Sequence, residues 1–253
     1  MTTPRLTAKI VKGGALLEDT RRMVEAWDAS QTPAENLERI VGGNLLAKRS
    51  RIRAKEVATL VMVPRFVAPG PHVLLTLRHL LVNRTAFATA CYYEAARCDG
   101  LLTAFAEGPL WQWWLSGRAR VQVAEAADWL SEVDDRAEPR WSPSLRGRVA
   151  RGLLATLRDF GVLRGTRHKE IVAPDLGAAG FAYVAWREHD RGASSRGLVW
   201  NPIWHLWLLD EEMVLNHFGE LARLGVIGLA QAGSAIRVDW RVSGLEEVTC
   251  AIA

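Results

Sequence analysis

A pattern that occurs twice constrains this chain more than any other feature. Leu154, Leu157 and Phe160-Gly161-Val162-Leu163 return as Phe218, Leu221 and Leu224-Gly225-Val226-Ile227, the same spacing shifted by 64 residues. Apolar residues three apart mark one face of a helix. The glycine beside the last of them supplies the left-handed residue that commonly closes a helix. A short β-prone stretch follows each copy, Ile171-Val172-Ala173 after the first and Ile236-Arg237-Val238 after the second. Helix, glycine, then β-ribbon is the order in which a winged helix-turn-helix sets its recognition helix and its wing. The pattern predicts two winged-helix-like units with small β-hairpins, over about 142–174 and 205–242.

The two copies differ in charge. Residues 140–169 hold Arg140, Arg146, Arg148, Arg151, Arg158, Arg164, Arg167 and Lys169 against Asp159 alone. The second copy is led by Asp210-Glu211-Glu212 and carries the turn Ala232-Gly233-Ser234. Acids in a first helical turn have a structural reason, because the helix dipole favours them there. A run of arginines on a helix is usually a solvated face, and what sets the first copy apart is that its charge coincides with the helix-and-wing layout. Arg146, Arg148 and Arg151 are expected on its helix, and Arg164, Arg167 and Lys169 along its wing, as phosphate-neutralising groups. A net charge of +4 is small for 253 residues, so the argument for an anionic partner rests on this clustering and not on the total.

The N-terminal half reads as a helical bundle. Thr32-Pro33-Ala34-Glu35 is a capping box with proline at the first helical position, predicting a helix toward Val41. After Gly42-Gly43-Asn44, a second helix is expected from near Leu45, carrying Lys48, Arg49, Arg51, Arg53 and Lys55 as a second candidate nucleic-acid surface. Pro64 to Pro71 holds three prolines and a glycine and is expected to be a loop. Helical spacing follows from Val73 to Phe105 and again over 119–132. Cys91 and Cys98, seven apart, are expected as small residues on one core-facing side. The polar stretch Ser131 to Pro143 suggests a boundary between domains at 1–133 and 134–253. Beyond it, Ser142-Pro143 opens the first unit's helix. Phe181 to Glu188 reads as a short helix and Asp190 to Gly197 as a loop. The expected fold class is mainly α.

Chemistry is less visible than charge. No phosphate-binding glycine loop, dinucleotide fingerprint, zinc-protease helix or nucleophile elbow is present in the sequence. His189, Asp190, Ser194 and Ser195 lie together in a predicted loop with no oxyanion element, so we assign no catalytic residue. Three cysteines form no C-x-x-C pair, and His205 and His217 lack the spacing of metal ligands, so neither metal nor cofactor is expected. Six of the eleven tryptophans form two knots, Trp111-Trp113-Trp114 and Trp200-Trp204-Trp207, in Leu-rich surroundings that favour packing over base stacking. The chain begins without an apolar leader and holds no stretch of roughly 18 apolar residues, so a soluble cytoplasmic protein without membrane contact is expected.

Several stretches, taken in order, resemble the BrxA family of bacterial BREX phage-defence systems. They are Lys12-Gly13-Gly14-Ala15-Leu16-Leu17-Glu18-Asp19-Thr20, Asn44-Leu45-Leu46-Ala47-Lys48-Arg49-Ser50, Trp141-Ser142-Pro143-Ser144 leading to Leu157-Arg158-Asp159-Phe160-Gly161-Val162-Leu163, and Asn201-Pro202-Ile203-Trp204 through to Gly225-Val226-Ile227. The resemblance implies a non-catalytic helical protein with an N-terminal part similar to the NusB-type RNA-binding fold, helix-turn-helix character and binding to double-stranded DNA. It also implies partnership with other BREX components, among them a methyltransferase, an ATPase and a phosphatase-like protein. The Trp content and the Pro-rich stretch at 64–71 depart from the family pattern. A protein–protein adaptor of the same defence complex, docking through the Trp knots, is the alternative expectation.

Overall fold

The structure is a computed structural model that describes residues 6–133, 140–233 and 235–252. Residues 134–139 of the expected linker and Ser234 of the second turn lie outside them. The chain is mainly α with small antiparallel hairpins, as its patterning predicts. Helices α1 (Ile10–Gly13), α2 (Leu17–Ala26) and α3 (Pro33–Gly42) open it. The capping box forms as expected: Thr32 Oγ1 accepts from the Glu35 amide, and Glu35 Oε2 accepts from the Thr32 amide at 2.8 Å.

Helix α4 (Arg51–Val57) starts later than the sequence suggests, with Ser50 as its cap. Asn44 and Ala47 take left-handed backbone angles, and the Asn44 side chain bonds both the amide and the carbonyl of Lys48. That closed turn competes with helix for residues 44–48, so Lys48 and Arg49 sit outside α4. A second departure follows. The helix does not stop before Pro64 but runs on as a π-helical stretch, Ala58–Val67, in which the Ala68 amide bonds the Val63 carbonyl. Five-residue spacing widens the turn, which lets a proline without an amide hydrogen sit inside it. Only residues 68–70 break the chain before Pro71 opens α5 (Pro71–Leu80).

Helix α6 (Arg84–Cys98) follows, then α7 (Gly100–Phe105), a π-helical turn (Ala106–Leu110) and α8 (Trp111–Leu115). Strand β1 (Arg120–Val121) and helix α9 (Val123–Glu132) complete this half. Beyond the expected boundary come α10 (Pro143–Asp159), β2 (Leu163–Arg164), β3 (Lys169–Ile171) and α11 (Gly177–Asp190), the last extending past both ends of the predicted 181–188 helix. Residues 194–199 are not loop: Ser194 caps a short α12 (Ser195–Val199). A 3₁₀ turn (Pro202–Trp207), α13 (Glu211–Arg223), β4 (Ile227–Ala232), β5 (Ala235–Trp240) and α14 (Leu245–Cys250) finish the chain.

One apolar core runs through both halves, from Leu6 and Ile10 to Leu245 and Val248. Helix α10 packs on α1 and α9, α11 on α6, and α14 on α5. The α6–α11 seam carries a buried polar network. Glu94 accepts from Tyr183 Oη at 2.7 Å and from Arg187 Nε at 2.8 Å, and Tyr93 Oη donates to Glu188 at 2.5 Å. A buried carboxylate is tolerable only with such partners.

The Trp knots are mostly packing. Trp204 and Trp207 are buried, Trp204 stacks on Phe181 at 4.4 Å, and Trp111 is buried against His205 at 4.2 Å. Trp200 is the exposed member, with the Arg196 guanidinium 5.2 Å from its ring. Cys91 is buried, and its thiol pKa is pushed up by desolvation. Cys98 corrects the expectation of two core cysteines: it is exposed and donates to the Pro64 carbonyl at 3.2 Å.

Candidate nucleic-acid interface

The doubled sequence pattern is a doubled backbone closure. At the end of α10, the Gly161 amide bonds the Arg158 carbonyl and the Val162 amide bonds the Leu157 carbonyl, both at 2.9 Å. At the end of α13, Gly225 bonds Ala222 and Val226 bonds Leu221, both at 3.1 Å. Each glycine is left-handed, with φ of 88° and 78°. This is the Schellman closure, and it turns the chain from helix directly into the first strand of a hairpin.

The first hairpin joins a three-stranded antiparallel sheet in the order β1-β3-β2. Two-residue β1, in a span whose spacing predicts a helix, pairs Arg120 with Glu170 and Val121 with Lys169. The hairpin tip depends on Gly165, whose φ is 91°. A Cβ there would lie 2.2 Å from the His168 carbonyl oxygen, so glycine is required. The tip presents Arg167 and His168 to solvent.

The predicted cations of this unit do not all point the same way. At about 100° per residue, Arg148 and Arg151 share the side of α10 opposite its buried stripe, and both are exposed. Arg146 falls on the side that carries Val149, Ala150 and Leu153, and it is half-buried. Arg164 and Arg167 are exposed on the hairpin. Arg148, Arg151, Arg164 and Arg167 form no ion pair with any described residue.

Lys169 is a correction. It alternates with Glu170 along β3 and faces inward, where its Nζ donates to the Thr166 carbonyl at 2.7 Å. Burial, and secondarily Arg158, hold its pKa below the usual lysine value. A strand's period of two decides this, and the charge count of a segment does not register it. Three further groups lie at this surface outside the expected phosphate-neutralising set: Arg120, whose guanidinium meets Glu170 at 3.5 Å, Arg158, counted in the basic cluster and paired with Asp159 at 2.6 Å, and His168. Arg120 was legible only through its pairing with β3, which a two-residue strand does not announce.

The second predicted cluster is divided. Lys48 is ion-paired with Asp19, a contact between the Asn44 turn and α2. Arg53 pairs with Glu56 and donates to the Lys12 carbonyl at 2.7 Å, fastening α4 to α1. Arg49, Arg51 and Lys55 are exposed, and Arg51 and Lys55 edge a groove between α3 and α4 whose other lining is largely apolar. The structure therefore does not bring these five cations onto one surface.

The groups considered for chemistry have structural neighbours. Ser195 Oγ accepts from the Val238 amide at 3.0 Å, and His189 packs against Trp186 and Trp240. His217 stacks on Phe181 at 4.7 Å and, like His205, is held below the ordinary imidazole pKa by burial. No group of three or more metal-ligating side chains is found among the described residues, and no single helix among them is long and apolar enough to cross a membrane.

A family model described as BrxA matches residues 5–185, and the chain belongs to that family, a component of BREX phage-defence systems. A crystal structure of an uncharacterized protein from Magnetospirillum magneticum is similar in fold, with a TM-score of 0.64 and 16% identity over 81% of this chain and 100% of that one. No curated protein matches the chain.

Proposed function

We propose that this BrxA-family protein is a duplex-DNA-binding component of its defence system, with no chemistry of its own, and that α10 and the β2–β3 hairpin carry the contact. The order β1, α9, α10, β2, β3 with sheet order β1-β3-β2 supports a winged-helix reading, in which α10 takes the recognition position and residues 164–169 the wing. The observation that carries the reading is the set of four exposed arginines, Arg148, Arg151, Arg164 and Arg167, without ionic partners among the described residues on these two elements. Guanidinium groups so placed neutralise phosphates and fix register on a duplex, and such contacts carry little base preference. Lys169 and Arg146, turned toward the protein, stabilise the platform. The other components of the system, a methyltransferase, an ATPase and a phosphatase-like protein, are its protein partners in this reading.

Fluorescence anisotropy with duplex DNA, single-stranded DNA and duplex RNA of equal length, repeated across a salt series, tests this. Four phosphates engaged by four arginines give a slope of about −3 to −4 in log K against log salt for duplex DNA. Absence of duplex binding at low salt would refute it.

A further inference from the structure

The groove between α3 and α4 has a composition that phosphate binding does not explain. Its apolar lining is Leu37 and Val41 from α3 and Ile52 from α4, and its volume is about 540 Å³. Ile52 is 77% exposed, so it extends the half-buried Leu37 and Val41 into one continuous apolar patch open to solvent. Arg51 and Lys55 line the α4 rim and Glu38 the α3 rim. None of these three makes an ion pair with a described residue, whereas the neighbouring Lys48 and Arg53 both do. A duplex laid on the α4 rim would neutralise Arg51 and Lys55 but leave Ile52 and the rest of the apolar lining wet.

We infer that this groove is a docking site for an amphipathic helix of a partner protein, with an apolar stripe seated on Leu37, Val41 and Ile52 and carboxylates along the flank over α4. The charge pattern fixes the orientation. Two cations on one rim and an acid on the other select a helix with Asp or Glu facing Arg51 and Lys55 and Lys or Arg facing Glu38. Apolar residues at i, i+3, i+4 and i+7 reach into such a groove from one side of a helix, as in other helix-in-groove complexes. The site is separate from α10 and its hairpin, so one molecule holds DNA and a protein segment at once.

The probe is a fluorescein-labelled synthetic helix with leucines at that spacing, glutamates on one flank and lysines on the other, titrated with the full-length protein. Its controls are the same helix with lysines on both flanks and a scrambled sequence. The designed helix is expected to bind at least tenfold more tightly than either control. Ile52→Glu, at a site so exposed that folding is undisturbed, is expected to weaken it at least tenfold, and Arg51→Glu/Lys55→Glu to reverse the preference between the designed and the all-lysine helix. Duplex DNA affinity is expected to stay within twofold in both variants. Equal binding of all three helices, or binding indifferent to Ile52→Glu, would overturn the inference. So would loss of duplex affinity in Arg51→Glu/Lys55→Glu with no designed-helix binding, which would return the rim to nucleic acid. Concentration-dependent dimerisation abolished by Ile52→Glu would assign the groove to a second copy of the chain and overturn it as well.

Discussion

The α10–β2–β3 and α13–β4–β5 units share one backbone solution and present opposite surfaces. In both, a buried leucine, Leu157 or Leu221, offers the carbonyl that a residue after a left-handed glycine recovers. Moving 64 positions along, however, Arg148 becomes Glu212, Arg151 becomes Leu215, Arg164 becomes Gly228 and Arg167 becomes Gln231. The surroundings differ too. The first hairpin gains β1 as a third strand, whereas the second packs β5 on α12 and sets Trp240 against Trp186 at 4.8 Å. Its exposed Arg237 is answered two residues on by Asp239 at 2.8 Å. The inward positions that close the helix are what the two units hold in common, and the outward ones decide what each can meet.

The largest expected effect tests the equivalence itself. Leu157→Ala and Leu221→Ala each remove a fully buried side chain at the same point of the closure. Each should cost about 2–5 kcal/mol in denaturant unfolding. A cost under about 1 kcal/mol at either site would break the equivalence.

Charge should separate the units where packing does not. Arg148→Glu/Arg151→Glu is expected to lower duplex affinity by about tenfold or more at low salt. Arg223→Glu/Arg237→Glu in the second unit should change it less than about twofold on the same reasoning. Equal losses would spread the contact over both units.

Glycine substitutions sharpen the comparison further. Gly161→Ala and Gly225→Ala force a Cβ onto left-handed backbone without a clash, the first at an ordinary 3.7 Å from Pro174 Cβ and the second in open space, and should each cost about 1 kcal/mol by thermal unfolding. Gly165→Ala meets the His168 carbonyl and must rebuild the tip, so it should displace Arg167 and weaken duplex binding without unfolding the chain.

The smallest effect is acid sensitivity, expected to arise around the second unit. Burial lowers the folded pKa of His205 and His217 below the ordinary 6.5, so the unfolded chain binds protons first as pH falls. Their contribution is complete above pH 6.5 and is lost as pH falls through the folded values. Thermal unfolding at pH 7 and pH 5 should show a lower Tm at pH 5, and replacing both histidines with asparagine should shrink that difference.

Local chemistry was the most legible part of the fold. The capping box at Thr32, the Ser142-Pro143 start of α10 and the two glycine closures each state their structure within a few residues. Pro64 misled because a π-helical turn admits what an α-helix rejects, and a proline in the sequence does not distinguish the two. Strand β1 and helix α12 are too short to carry a period. The site was half legible. Charge counting singles out residues 140–169, but only the register of β3 and the buried stripe of α10 reveal that Lys169 and Arg146 turn inward. The Glu94–Arg187 network joins residues 93 positions apart and leaves no local trace.

The central claim is that outward-facing arginines of the first unit bind duplex DNA and inward-facing cations do not. The most direct test is the salt slope of duplex affinity for single variants. Arg148→Ala, Arg151→Ala, Arg164→Ala and Arg167→Ala should each reduce its magnitude by about one, whereas Lys169→Met should leave it unchanged. A slope reduced by Lys169→Met as much as by the arginine variants, or unmoved by any of the four, would contradict the account.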